Sequence, residues 1–358
     1  QYHIVPTQID FIFINSQYKR QKTLNLKQLT CQRNATSKVN LLLPSVVSKI
    51  KALSKTVVSP TAPDIPFGMH CLKPSHCHFL GACFPRLATD SILSISGISK
   101  QKKVAFVKKN IISLHDVALH VTMNERHAMQ VSSLLDDRIH CDQPLIRQFL
   151  DLLSFPLYFM DFEVAQFIVP PFEGLKPLHQ LPFQYSIHIL KDFHSEPEHI
   201  SFLSSHTENP EYEFAKQLSG DIPENVSVIV FNKNLEQLIL RYLQHQFPSY
   251  QATLLRISKQ LIDLSPLFLK NGYYHPKMNG KFSLKDIYTA ISSSNTNQFE
   301  SLSIKNGESA NIAYKSYLYE SDPQKRDVLL NQLQTYCRLD TYAMVEIIKY
   351  FYKMSKDT

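Results

Sequence analysis

The chain is poor in glycine, with eight in 358 residues. None of them builds a Gly-rich loop that would cradle a phosphate, so the common nucleotide-binding fingerprints are excluded. No apolar run is long enough to cross a bilayer, and "FIFIN" at 11–15 is far too short. The opening residues lack a signal-peptide pattern. The six cysteines are Cys31, Cys71, Cys77, Cys83, Cys141 and Cys337. Without an export signal they read as reduced or metal-bound thiols of a cytoplasmic protein, not as a disulfide frame. The chain opens on Gln1 in mid-pattern, the expectation for a fragment or a processed product.

What is present is globular material. Hydrophobic residues make up 44% and aromatics 11%, and the length suffices for two or three domains. The net charge of +7 suits an acidic partner such as nucleic acid, although other partners suit it equally.

Three regions follow from the patterning: 1–88, 89–153 and 154–358. In the first, "SVVSKIKALSK" (45–55) has helical spacing, and a Pro-rich linker (59–68) precedes a cysteine cluster. In the second, 91–119 reads as a short helix, a tight turn at Ser96-Gly97-Ile98, a basic helix and a second turn, an order similar to a helix–hairpin–helix unit. Such a unit would offer turn amides and Lys100, Lys102, Lys103, Lys108 and Lys109 to a phosphate; the plainer reading is a helical linker with a solvated basic face. A further helix is expected over 144–153.

From 155 onward strands and helices alternate. Strands are expected over 157–163, 182–190, 199–204 and 227–232, and helices over 209–220, 234–247 and 327–354. Three strands in meander, then helix–strand–helix, predict an α/β fold with a ribonuclease H-like mixed sheet flanked by helices, preceded by a mostly helical, partial N-terminal region.

Acids fall at three places in this order. Asp161 and Glu163 sit two apart at a strand end, so they share a face. Glu236 sits early on the helix after the buried strand that ends at Asn232. Tyr336 and Asp340, four apart, share a face of the last long helix. Four acids gathered in one place repel one another unless cations lie between them. Hard oxygen ligands suit a pair of Mg²⁺ or Mn²⁺ ions, which can support phosphodiester hydrolysis. The plainer reading is solvated acids at exposed element ends.

These motifs resemble the DEDDy branch of the DnaQ-like 3′–5′ exonucleases over roughly 155–354. The resemblance implies catalytic roles for Asp161, Glu163, Glu236, Tyr336 and Asp340. The four acids would hold the metals, and Tyr336 would orient the attacking water. A departure is Glu236, where most such enzymes carry Asp. "YFMDFE", "PFQYSIHIL", "YYHPKMNGKFSLKDI" and "YCRLDTYAMV" resemble more closely an uncharacterised bacterial family that fuses this core to a RecB-type nuclease.

Substrate contacts are expected from 273–287. Ser283 and Lys285 open a helix toward a phosphate, and Tyr273, Tyr274 and His275 would stack on a base. Core-packed tyrosines under a surface loop are the alternative. Asp263, after an apolar strand, is either a support for the site or a helix cap.

Cys71, Cys77 and Cys83 are each separated by five residues. They suggest zinc, with His70, His76 or His78 as the fourth ligand, or a [4Fe–4S] cluster. The segment resembles the cysteine group of RecB-family nucleases. By that resemblance "QYHIV" (1–5), "INSQYKR" and "LNLKQL" are the closing parts of such a domain, and its active-site acids and one cysteine are missing. Cys31, Cys141 and Cys337 read as structural. The expected activity is therefore metal-dependent 3′–5′ trimming of DNA or RNA. The rivals are a silent nucleic-acid-binding module on the same fold and a metal-stapled interaction domain.

Overall fold

The computed structural model describes residues 6–87, 90–204, 208–292 and 298–356. It falls into two compact units. One holds 1–85 with 166–179, the other 86–165 with 180–358. The "QYHIV" motif lies outside the described residues.

In the first unit, strands Asp10–Ile14 and Thr30–Asn34 pair antiparallel, and the helix Thr36–Val57 follows. The helix is longer than the expected 45–55. It carries Pro44 inside it and buries none of its residues. This region is therefore not only helical: the hairpin adds a small sheet.

The second unit is an α/β domain built on a five-stranded mixed sheet. Its strands are β1 (Leu157–Ala165), β2 (Leu181–Leu190), β3 (Glu198–Leu203), β4 (Ser227–Val230) and β5 (Leu261–Asp263). Their spatial order is β3-β2-β1-β4-β5. β2 runs antiparallel to β1 and β3, whereas β4 runs parallel to β1 and β5 parallel to β4. The unit's helices from β3 onward include α1 (Glu211–Asp221), α2 (Asn234–Gln246), α3 (Gln251–Gln260), α4 (Leu284–Ile291), α5 (Gly307–Tyr319) and α6 (Pro323–Lys356).

The central strands are apolar almost throughout because helices cover both faces of the sheet. On one face Tyr158, Met160 and Phe162 pack with Phe214 of α1, Ile239 and Leu240 of α2 and Leu254 of α3. On the other, Leu157 and Phe159 pack with Ile287 of α4 and Ala343, Met344 and Phe351 of α6. The period-two alternation of β1 thus divides its side chains between two cores. Each strand and helix expected here has an observed counterpart within a few residues, and α3 and α5 appear in addition; a strand buried on both sides leaves a continuous apolar run in the sequence.

The region before the sheet departs from expectation. The short helix of the helix–hairpin–helix reading is only a 3₁₀ turn, Ile92–Ser94. The Ser96 amide donates to Gln130 Oε1 at 2.9 Å, and Gln130 Nε2 donates back to the Ser96 carbonyl at 3.2 Å. Lys103 Nζ donates to the Leu93 carbonyl at 2.8 Å, and burial lowers its pKa to about 8. The turn amide and the central lysine expected to meet a phosphate are therefore spent on the protein. Among the described residues, no helix is long and apolar enough to cross a membrane.

Gly280 locks the 273–287 segment to this region. Its φ is +73°, and a Cβ there would stand 1.8 Å from the Ser94 carbonyl oxygen. Gly280→Ala meets a clash and an unfavourable backbone at once. We expect a loss of about 2–4 kcal/mol, read as a lowered denaturant midpoint with an unchanged slope.

Candidate metal centre

The pairing of β4 with β1 ends at Phe159↔Ile229, two residues short of Asp161. β1 runs on alone at that side, and the chain leaving β4 turns into α2. Open α/β sheets form clefts where neighbouring parallel strands end in this way.

The turn needs a left-handed residue, and Asn232 supplies it with φ of +65°. Asp263, at the end of β5, fixes the turn. Its carboxylate accepts the amides of Asn232 at 3.0 Å, Lys233 at 3.3 Å and Ser265 at 2.9 Å. This resolves the two readings of Asp263 into one, a structural clamp that sets where α2 begins. Glu236, in the first turn of α2, is buried, and its Oε2 has no hydrogen-bond partner.

Glu163 and Asp340 are buried at 6% exposure each, and Asp161 is partly exposed. Ligand atoms of Asp161, Glu163 and Cys337 lie within 4.8 Å of one another. Cys337 Sγ stands 3.8 Å from Asp161 Oδ2 and 3.9 Å from its carbonyl. Cys337 was expected only to pack; it also contacts the leading acid. Tyr336 shares the helix face with Asp340, accepts a hydrogen bond from Lys285 Nζ at 3.2 Å and is itself buried. One residue on from Asp340, Thr341 Oγ1 lies 2.9 Å from Ser186 Oγ and 2.8 Å from His188 Nδ1. Ser186 also meets His199 Nε2 at 2.9 Å. Burial keeps both imidazoles neutral, with pKa values of about 3 for His188 and about 4 for His199. This network ties α6 to β2 and so fixes the height of Tyr336 and Asp340 against β1.

Electrostatics join the four acids. Burial, then Asp340, Glu163 and Glu236, raise Asp161 well above the usual carboxylate range. Burial and Asp340 push Glu163 up to about 8, against the pull of Lys285. Burial and Asp263 bring Glu236 to about 7. Burial takes Asp340 to about 6, with Lys285 and the Tyr336 hydroxyl opposing. Burial and the three nearby acids Asp340, Glu163 and Asp161 likewise raise Tyr336, which stays a protonated phenol. Two carboxylates and the Cys337 thiol offer ligand atoms within 4.8 Å of one another, and one buried oxygen of Glu236 is unpartnered. The carboxylate oxygens fit divalent Mg²⁺ or Mn²⁺, while the thiol is a softer donor.

The expected substrate residues divide. Tyr273 and Tyr274 are fully buried, and Tyr274 Oη accepts the Gly280 amide at 2.9 Å. Their rings belong to the core, which corrects the stacking role for Tyr274. His275 caps a 3₁₀ turn by accepting the Lys277 amide at 3.1 Å. Ser283 caps α4, accepting the Asp286 amide and donating to the Asp286 carboxylate. Lys285 does reach the site, where its Nζ donates to Tyr336 Oη at 3.2 Å. Gly307, opening α5, was also missed: a Cβ there would lie 3.8 Å from Glu163 Oε2.

In the cysteine segment the Cys77 amide donates to the Cys71 carbonyl at 2.9 Å. Cys71 is buried while Cys77 and Cys83 are exposed. Among the described residues, the group of three ligand atoms close enough to share an ion is the one at Asp161, not one at these thiols.

A family described as a domain of unknown function (DUF2779) matches residues 158–283, well under half of the chain. The match takes in Asp161, Glu163 and Glu236 and ends before Tyr336 and Asp340. It agrees with the resemblance to an uncharacterised family. No curated protein and no solved structure matches the chain.

Two measurements check this geometry. Asp263→Ala strands three amides, and we expect a loss of about 1–3 kcal/mol in chemical denaturation. The second concerns pH. In the unfolded chain carboxylates titrate near pH 4–4.5, below their folded values, so the folded protein holds more protons between these limits. Stability of the metal-free protein therefore falls as pH rises from about 4.5 to about 8. A Glu163→Gln/Glu236→Gln variant removes two of these groups. Its melting temperature in chelator should exceed that of the wild type by a margin that grows from pH 5 and levels off above pH 8.

Proposed function

We propose that this protein is a metal-dependent exonuclease that hydrolyses phosphodiester bonds of DNA or RNA from the 3′ end. The observation that carries the reading is the convergence of four carboxylates from β1, α2 and α6, with a buried, unpartnered oxygen on Glu236. Once ionised, such a cluster calls for counter-charge, and carboxylate donors suit a two-metal hydrolase.

Asp161, Glu163, Glu236 and Asp340 would hold the ions. When bound, these supply Lewis acidity toward the phosphodiester and toward a water molecule. The protein groups do the rest. Glu236 is longer than the Asp expected at its place, and the Asp263 clamp settles where its helix starts, which sets its reach. Tyr336 keeps its phenolic proton, and the Lys285 ammonium donates to its oxygen at 3.2 Å, so that oxygen has a fixed position from which to orient a nucleophilic water. The partial exposure of Asp161 leaves the substrate an approach to the cluster. The net charge of +7 favours a polyanionic substrate.

The test is a cleavage assay with end-labelled single-stranded DNA and RNA, in Mn²⁺ or in chelator. We expect a metal-dependent ladder that shortens from the 3′ end. Asp161→Ala and Asp340→Ala should each lower the rate by about 10³-fold or more, while Tyr336→Phe should lower kcat about 10–100-fold with KM unchanged. Binding without cleavage in the wild type would reject the enzyme in favour of the silent module.

A further inference from the structure

Lys285 lies in the first turn of α4, two residues past the cap Ser283. From the sequence it reads as a phosphate contact. Its surroundings describe another role. Nζ donates to the Lys305 carbonyl at 2.5 Å and to Tyr336 Oη at 3.2 Å. It also lies 4.4 Å from the centroid of the Tyr336 ring and 5.1 Å from that of Phe299. An ammonium with two acceptors and two ring faces is held in the protein, not extended to a ligand. Nζ reaches the acidic site at the Tyr336 hydroxyl, one helical turn before Asp340 on the same helix, and its charge acts on Glu163 and Asp340 from there without a direct ion pair.

We propose that Lys285 is the built-in counter-ion of the acidic site: its ammonium balances part of the Glu163 and Asp340 charge and anchors Tyr336, and any divalent cation binds against it. The inference rests on reading the four acids as a metal site. Its physical content is a trade. Ionised carboxylates gathered there without a cation would push α6 and β1 apart. One fixed positive charge offsets part of that repulsion in the metal-free protein. The same charge repels an incoming dication over a few ångströms, so it weakens metal binding. Lys285 is thus a positioning residue for Tyr336 and a determinant of metal affinity, not a substrate contact.

The two roles differ in sign. Loss of a phosphate contact would raise KM and leave the metal alone. Loss of a counter-ion would tighten metal binding and destabilise the metal-free fold. We would titrate the full chain with Mg²⁺ by calorimetry at pH 8.5, as wild type, Lys285→Met, Lys285→Gln and Lys285→Arg. The neutral variants should bind about tenfold more tightly, and the Arg variant, which keeps the charge, should bind as the wild type does. In chelator the neutral variants should melt below the wild type, and saturating Mg²⁺ should close the gap. If the wild type binds Mg²⁺ and the neutral variants bind equally or more weakly, the counter-ion role is overturned while the metal site stands. If no form binds, both fall. A neutral variant that stays unfolded even in saturating Mg²⁺ also overturns the proposal, because Lys285 is then a packing residue.

Discussion

Repulsion among four clustered carboxylates, three of them buried, is the constraint on which the rest of the site depends. Asp161, Glu163, Glu236 and Asp340 sit where the dielectric is low and hydration is restricted, and each is pushed toward its neutral form. A protein built for stability alone would fill this space with apolar side chains, since buried charges repay their desolvation poorly. Keeping the acids together requires a scaffold stiff enough to resist them and a partner charge to meet them.

The scaffold is the sheet between its two cores. β1 sends Met160 and Phe162 into one core and Phe159 into the other, so the strand between them cannot shift to relieve Asp161 and Glu163. α2 is held by the Asp263 carboxylate across the Asn232 turn, and α6 by the Thr341 network reaching into β2. Each acid therefore arrives on an element that is fixed by a contact other than the acid itself. This is the arrangement expected where geometry must persist against unfavourable electrostatics.

The central domain was legible in the sequence because its strands are buried on both faces and its helices are amphipathic. The runs at 157–163 and 182–190 and the period of the last helix carry that information directly. The pairing of Asp161 with Glu163 and of Tyr336 with Asp340 was legible for the same reason, as each pair shares one regular element. The region before the sheet was read less well. Its 3₁₀ turn at Ile92–Ser94 has no periodicity to reveal it, and the Gln130 contacts that satisfy the turn come from 34 residues away. Tyr273 and Tyr274 look alike as surface stackers or core residues, since an aromatic pair in a Gly/Pro-rich stretch carries no mark of which side it faces.

Sequence by itself determined the elements and the chemical types on them: alternating burial places one acid pair on a strand, and a spacing of four places a tyrosine and an acid on one helical face. These are local regularities, and short-range backbone geometry enforces them. Only the tertiary structure decided which distant groups meet. It brought Lys285 to Tyr336 from 51 residues away and Cys337 to Asp161 from 176. Such contacts arise from packing whole elements against a sheet, and no local pattern records them.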